Sequence, residues 1–149
     1  MKSNYKSLNG YIEGYYGRLL TWDERYRIIS RLKKNKMNFY FYAPKEDKKH
    51  RFNWRSKYSL KWRKDFRNFT DFSKTQNINV IAGIAPGLDF NFKQFNSKEK
   101  ETTVSDFDYI YNKSKQLLKD GATKIALLLD DIPDNFKNNF GNNISEGIS

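Results

Sequence analysis

The chain has no cysteine among its 149 residues. That excludes disulfides, thiolate metal sites and cysteine nucleophiles together. Histidine is almost as scarce. The one present, His50, sits in "KKHRFNWR", and no nucleophile–histidine–acid arrangement is recognisable around it. A lone histidine there reads as a structural hydrogen-bonding residue. Long apolar runs are also missing: none approaches the roughly 18 residues of a membrane-spanning helix. The start, "MKSNYKSLNG", lacks the apolar stretch of a secretory signal. These absences point to a cytoplasmic protein with no membrane role. No internal repeat or interdomain linker is found, and the length suits one domain with a real core.

Acids are the minority charge, 17 Asp and Glu against 28 Lys and Arg, which gives a formal net charge of +11. Aromatic residues make up 17%. Basic plus aromatic is a footprint of nucleic-acid binding. Here, however, the basic residues are scattered, and many pair locally with acids, as in "TWDERYR" and "SDFDYIYNKSK". Nucleic acid is therefore not favoured as the main partner, although the surface would favour anions.

What remains is a regular alternation. Short runs rich in β-branched and aromatic residues predict strands at 10–14, 38–44, 79–87 and 124–131. Helical spacing predicts helices between them. In 21–36, Tyr26, Ile29 and Leu32 share a side, and Thr21 with Glu24 has the spacing of a capping box. In 59–76 the apolar residues are Trp62, Phe66, Phe69 and Phe72; in 103–121 they are Phe107, Ile110, Tyr111, Leu117 and Leu118, with Gly121 closing the helix. The order β-α-β-α-β-α-β predicts parallel strands with helical crossovers. Residues 1–9 read as an N-terminal extension, and 133–149, polar and rich in Asn and Gly, as a tail.

Each predicted strand ends in chemistry: "EGYYGR", "APKEDKKHR", "APGLD" and "DDIPD". In parallel α/β proteins the carboxyl ends of the strands form the ligand side. The apolar run of "KIALLLDDIPD" is thus a core strand that delivers Asp130 and Asp131 to that rim. Two carboxylates this close repel, so one is driven toward the protonated form while the other stays ionised. That division suits a general acid beside an anionic stabiliser. The residues fit equally well a turn cap beside a solvated acid; a magnesium site is a weaker third reading. Lys45, directly after strand two, has the reach to bond a substrate hydroxyl or tune an acid, yet as one cation of "KEDKK" it also reads as solvated. Gly14 and Gly17 flank two tyrosines and allow close backbone approach or a tight turn. Asp89 reads as a cap for the next helix, and Trp54 as loop packing rather than a sugar platform.

In order and at strand-end spacing, "GYIEGYYGR", "NFYFYAPKED", "HRFNWR", "AGIAPGLD" and "ALLLDDI" resemble the catalytic barrel of glycoside hydrolase family 84, the β-N-acetylglucosaminidases that include the protein O-GlcNAcases. The resemblance covers 10–132. It implies the N-terminal half of a (β/α)8 TIM barrel, about four parallel strands with intervening helices. It also implies retaining hydrolysis of β-linked N-acetylglucosamine, in a glycoside or glycoprotein, by substrate assistance through an oxazoline. By motif position, Asp130 becomes the partner of the acetamido group and Asp131 the general acid/base. Lys45 and Gly14 become sugar-binding positions, and no metal or cofactor is needed. Departures from the family pattern are Glu46 in "APKED" and the absence of a proline after Arg18. A full barrel takes about 250 residues. Self-association or a separate C-terminal half-barrel is therefore expected, with an inert sugar-binding remnant as the alternative.

Overall fold

The computed structural model describes residues 7–91 and 104–130. Within them the chain alternates β1 (Gly10–Glu13), α1 (Trp22–Lys34), β2 (Phe39–Tyr42), α2 (Leu60–Thr75), β3 (Asn79–Ile84), α3 (Asp106–Lys119) and β4 (Lys124–Leu127). The four strands form one sheet in the order β1-β2-β3-β4, and every neighbouring pair is parallel. This is the predicted alternation, with shorter strands, because the strand-end residues turn away from the ladder into loops. The predicted tail, 133–149, lies outside the described residues.

Register explains where the core sits. Side chains alternate along a strand. Tyr11 stands beside Tyr40 and Tyr40 beside Val80; Glu13 stands beside Tyr42 and Tyr42 beside Ala82. Ala82 and Ile84 then meet Ile125 and Leu127 of β4. This face carries the helices: Tyr40, Tyr42, Val80, Ala82 and Ile84 join Ile29, Leu32, Phe66, Phe69 and Leu117 in one buried cluster. Much of it is aromatic. Trp62 stacks on Tyr58 at 3.6 Å and on Phe66 at 4.7 Å between centroids. The opposite face shows Ile12, Phe41, Ile81, Gly83 and Ala126. It carries no described helix, and Ile12 at β1 is 54% exposed.

The helix ends follow the local sequence. Thr21 and Glu24 make the expected capping box at α1, and Ser105 with Asp108 makes a second at α3. α3 ends at Asp120, and Gly121 follows with φ 101°, the left-handed turn glycine tolerates. A Cβ there would lie 2.2 Å from Thr70 Oγ1.

The apolar stripe predicted for α3 divides in two. Leu117 is buried and Ile110 half-buried, whereas Phe107, Tyr111 and Leu118 are exposed. Their spacing puts them on one neighbouring stripe, where Phe107 meets the Phe90 ring edge-on at 5.0 Å. Among the described residues no helix is long and apolar enough to cross a membrane.

Candidate active site

Three of the four predicted site residues can be placed, each just beyond a strand's carboxyl end. Gly14 follows β1, Lys45 lies three residues past β2, and Asp130 three past β4. Asp131 lies outside the described residues. Lys45 and Asp130 meet: Lys45 Nζ donates to Asp130 Oδ2 at 2.6 Å. Because β3 lies between β2 and β4, this contact crosses the rim above it. The lysine side chain is 8% exposed and the aspartate 53%. A buried cation thus holds an accessible carboxylate. The Lys45 hydrogen bond keeps the Asp130 carboxyl below the usual carboxylate range; partial burial opposes this, and the Arg51 charge adds to it. Asp130 is therefore an ionised acceptor facing solvent. Arg51 itself packs over the rings of Tyr16, at 5.6 Å, and Phe52, at 4.7 Å.

Gly14 is half-buried, and a Cβ on it would come within 3.1 Å of the Ile12 side chain. Its bare backbone leaves this end of β1 open to close approach.

The loop between β2 and α2 carries most of the remaining polar residues, and it is anchored rather than solvated. Asp47, 8% exposed, accepts from the Tyr42 and Tyr58 hydroxyls at 2.7 and 2.9 Å and from the Lys49 amide. His50 is fully buried and bonds the Gly83 carbonyl through Nδ1 at 2.9 Å. A carbonyl only accepts, so Nδ1 carries the proton. Burial lowers the histidine's pKa, which keeps the ring neutral. Its Cε1 lies where a Cβ on Gly83 would come within 2.9 Å, so the ring needs that glycine. This is the structural role expected of His50.

Trp54 is fully buried, stacks on Phe90 at 5.8 Å and donates to Asp89 at 2.7 Å, so it packs the loop as expected. Asp89 does not cap α3; Ser105 does. Asp89 instead accepts from Trp54 and Arg55. Arg55 also grips Asp106 through two nitrogens, at 2.7 and 2.6 Å, which ties this loop to the start of α3.

Sequence reasoning passed over Glu13. It is 1% exposed and bonds Arg25 through both carboxylate oxygens, at 3.0 and 2.7 Å, and it also accepts from the Tyr40 hydroxyl. The signal was there: Glu13 falls on the same side of β1 as Tyr11, the side that faces the helices. Among the described residues no three His, Asp or Glu side chains gather as metal ligands. A cavity of about 670 Å³ lined by Thr70, Lys74, Asn79 and Thr123 opens at the amino ends of β3 and β4. It is also lined by Asp71 and lies at the opposite end of the sheet from Asp130.

Fold and rim together define the class: consecutive parallel strands with helices on one face, and a lysine–carboxylate contact at their carboxyl ends, as in part of a (β/α) barrel hydrolase. Comparison with known proteins gives the family. Residues 9–146 match the family NAGidase, beta-N-acetylglucosaminidase. The proteins named Protein O-GlcNAcase from Rattus norvegicus and Mus musculus are each 37% identical over 129 residues, 87% of this chain and 13% of their own length. Among solved structures, a mutant of the Thermobaculum terrenum O-GlcNAc hydrolase superposes with a TM-score of 0.73 at 29% identity, over 84% of this chain and 25% of that one. CpGH84B superposes with a TM-score of 0.75 at 31% identity, over 86% and 22%. The chain belongs to this β-N-acetylglucosaminidase family, glycoside hydrolase family 84. It spans about an eighth of the length of the curated relatives it matches.

Proposed function

We propose that this chain supplies the N-terminal half of the sugar site of a retaining β-N-acetylglucosaminidase acting by substrate assistance. The observation that carries the reading is the Lys45–Asp130 contact. It holds one carboxylate ionised and accessible at the rim, as the reaction requires of the group facing the acetamido N–H. Asp130 accepts that N–H and raises the nucleophilicity of the amide oxygen. The amide oxygen attacks the anomeric carbon as the leaving oxygen departs, forming an oxazoline. Asp131, adjacent in sequence, donates the proton to the leaving oxygen and afterwards takes one from the attacking water. Lys45 orients Asp130 and offers its ammonium to a sugar hydroxyl, and Gly14 presents its carbonyl. The substrate class is a β-linked N-acetylglucosaminide on a glycoside or glycoprotein. The strands that close the barrel come from a second polypeptide, a second copy, or further chain beyond these residues.

The test is hydrolysis of a chromogenic aryl β-N-acetylglucosaminide. Each of Asp130→Asn and Asp131→Asn should lower the rate by about 10²–10⁴-fold. For Asp131→Asn the loss should be smaller with an aryl leaving group of low pKa, which needs less protonation. Activity that survives both substitutions would sink this assignment. No turnover by the parent chain, with N-acetylglucosamine still perturbing the Lys45 and Asp130 NMR signals, would favour the sugar-binding remnant.

A further inference from the structure

α3 carries a lysine on its buried stripe. Lys113 is 3% exposed. Its Nζ donates to the carbonyl oxygens of Lys49, Trp54 and Ser56, the last two at 2.8 Å. The ring of Tyr58 lies 4.7 Å away. These four residues all belong to the segment between β2 and α2, which also carries Lys45. An ammonium has three N–H donors, and three carbonyls take all of them. Taking a cation out of water is costly unless it is compensated. Here the compensation comes from backbone oxygens of one loop, so the lysine and the loop order each other.

We propose that Lys113 is a positioning residue of the candidate active site: by gathering the carbonyls of Lys49, Trp54 and Ser56 onto α3, it fixes the β2–α2 loop and so the reach of Lys45 to Asp130. The loop's other anchors are single ties to β2 and β3 and ties to α3 on either side of Lys113, at Asp106 and, through the Tyr58 amide, at Gln116. Asp47 ties it to Tyr42 of β2, His50 ties it to Gly83 of β3, and Arg55 holds Asp89 and Asp106 at the loop's far end. Lys113 joins three of its carbonyls to the middle of α3. The titratable and charged groups around the ammonium are Asp47, Lys49, His50 and Tyr58, all from the loop. Burial lowers its pKa to about 8; the Lys49 charge adds to this and Asp47 opposes it. Its proton state can therefore be changed without strong alkali.

This inference rests on reading Lys45 and Asp130 as the sugar site, but its test needs no sugar. Asp130 is titrated by carboxyl ¹³C NMR in the whole protein and in Lys113→Met. The expected result is a higher Asp130 midpoint in the variant, moving toward the ordinary carboxylate range. Amide exchange across residues 46–57 should also be about tenfold faster, with β2 and β3 unchanged. A folded variant with unaltered Asp130 titration would overturn the proposal, even if its melting temperature fell. Should Lys113→Met not fold, the unmodified protein decides. Its Asp130 and Lys45 signals should shift with the midpoint of the Lys113 side chain itself, near pH 8. Signals that stay flat through that titration would refute it.

Discussion

Two ion pairs differ in character. Lys45–Asp130 is half open, and its value lies in charge state. Removing the cation in Lys45→Met should raise the Asp130 pKa toward the ordinary value of about 3.9. The sign follows from the depressed folded pKa. The pair's stabilisation is complete above the unfolded pKa and is lost as pH falls through the lower folded one. The stability difference between the parent and Lys45→Met should therefore be constant near neutrality and shrink only in acid, which denaturation curves at several pH values would reveal. Glu13–Arg25 is enclosed, with side-chain exposures of 1% and 4%. Arg25→Met leaves the Glu13 carboxylate with Tyr40 as its remaining named donor. It should cost about 3–5 kcal/mol, the usual penalty for stranding a buried charge. Urea denaturation would measure it, and a loss under 1 kcal/mol would contradict the geometry. The sequence showed Lys45 and Asp130 as strand-end residues but not their contact, since 85 positions separate them. It hid Glu13 and Lys113 for another reason: patterning assigns charges to the surface, and only three-dimensional partners excuse a buried one.

At the scale of the element, local chemistry was readable. Thr21 with Glu24 starts α1, and Gly121 follows the end of α3, both as the residue types and spacings predict. Gly121→Ala should cost about 1–2 kcal/mol from the left-handed backbone alone. The contact with Thr70 Oγ1 adds to that, so paired thermal melts should show a larger loss than for Ser59→Ala, which removes only the cap of α2. Equal melting temperatures for the two variants would reject this account. Asp89 shows where local reading stops. An acid a few residues after a strand resembles a helix cap, yet its partners Trp54 and Arg55 come from a loop about 35 residues earlier. The α3 stripe shows the same limit. Periodicity finds apolar spacing, but which of two adjacent stripes is covered depends on what packs there.

At the scale of the whole molecule, the described sheet has two faces in unequal condition. Helices cover one. The other presents Ile12 to solvent, and β1 and β4 both stand at the edges of the described sheet. Open parallel edges and an exposed apolar side chain such as Ile12 favour association. A net charge of +11 resists it by mutual repulsion, which salt screens. Sedimentation velocity should therefore show this chain self-associating with rising concentration, and more strongly at 0.5 M than at 0.05 M salt (about 4 and 14 Å of screening length). A compact monomer under every condition would count against exposed edges being sticky.

The sequence by itself determined the alternation of strands and helices, the caps and turns, and the delivery of Gly14, Lys45 and Asp130 to strand ends. Those features follow from periodicity and from interactions within a few residues, which a linear pattern records. Only the tertiary structure decided that Lys45 meets Asp130, that Asp89 clamps a loop instead of capping α3, and that Glu13 and Lys113 are buried. Each of those depends on partners brought together across the sheet. Whether a charge is stabilised or stranded is set by the dielectric and the donors around it, and these exist only once the chain has packed.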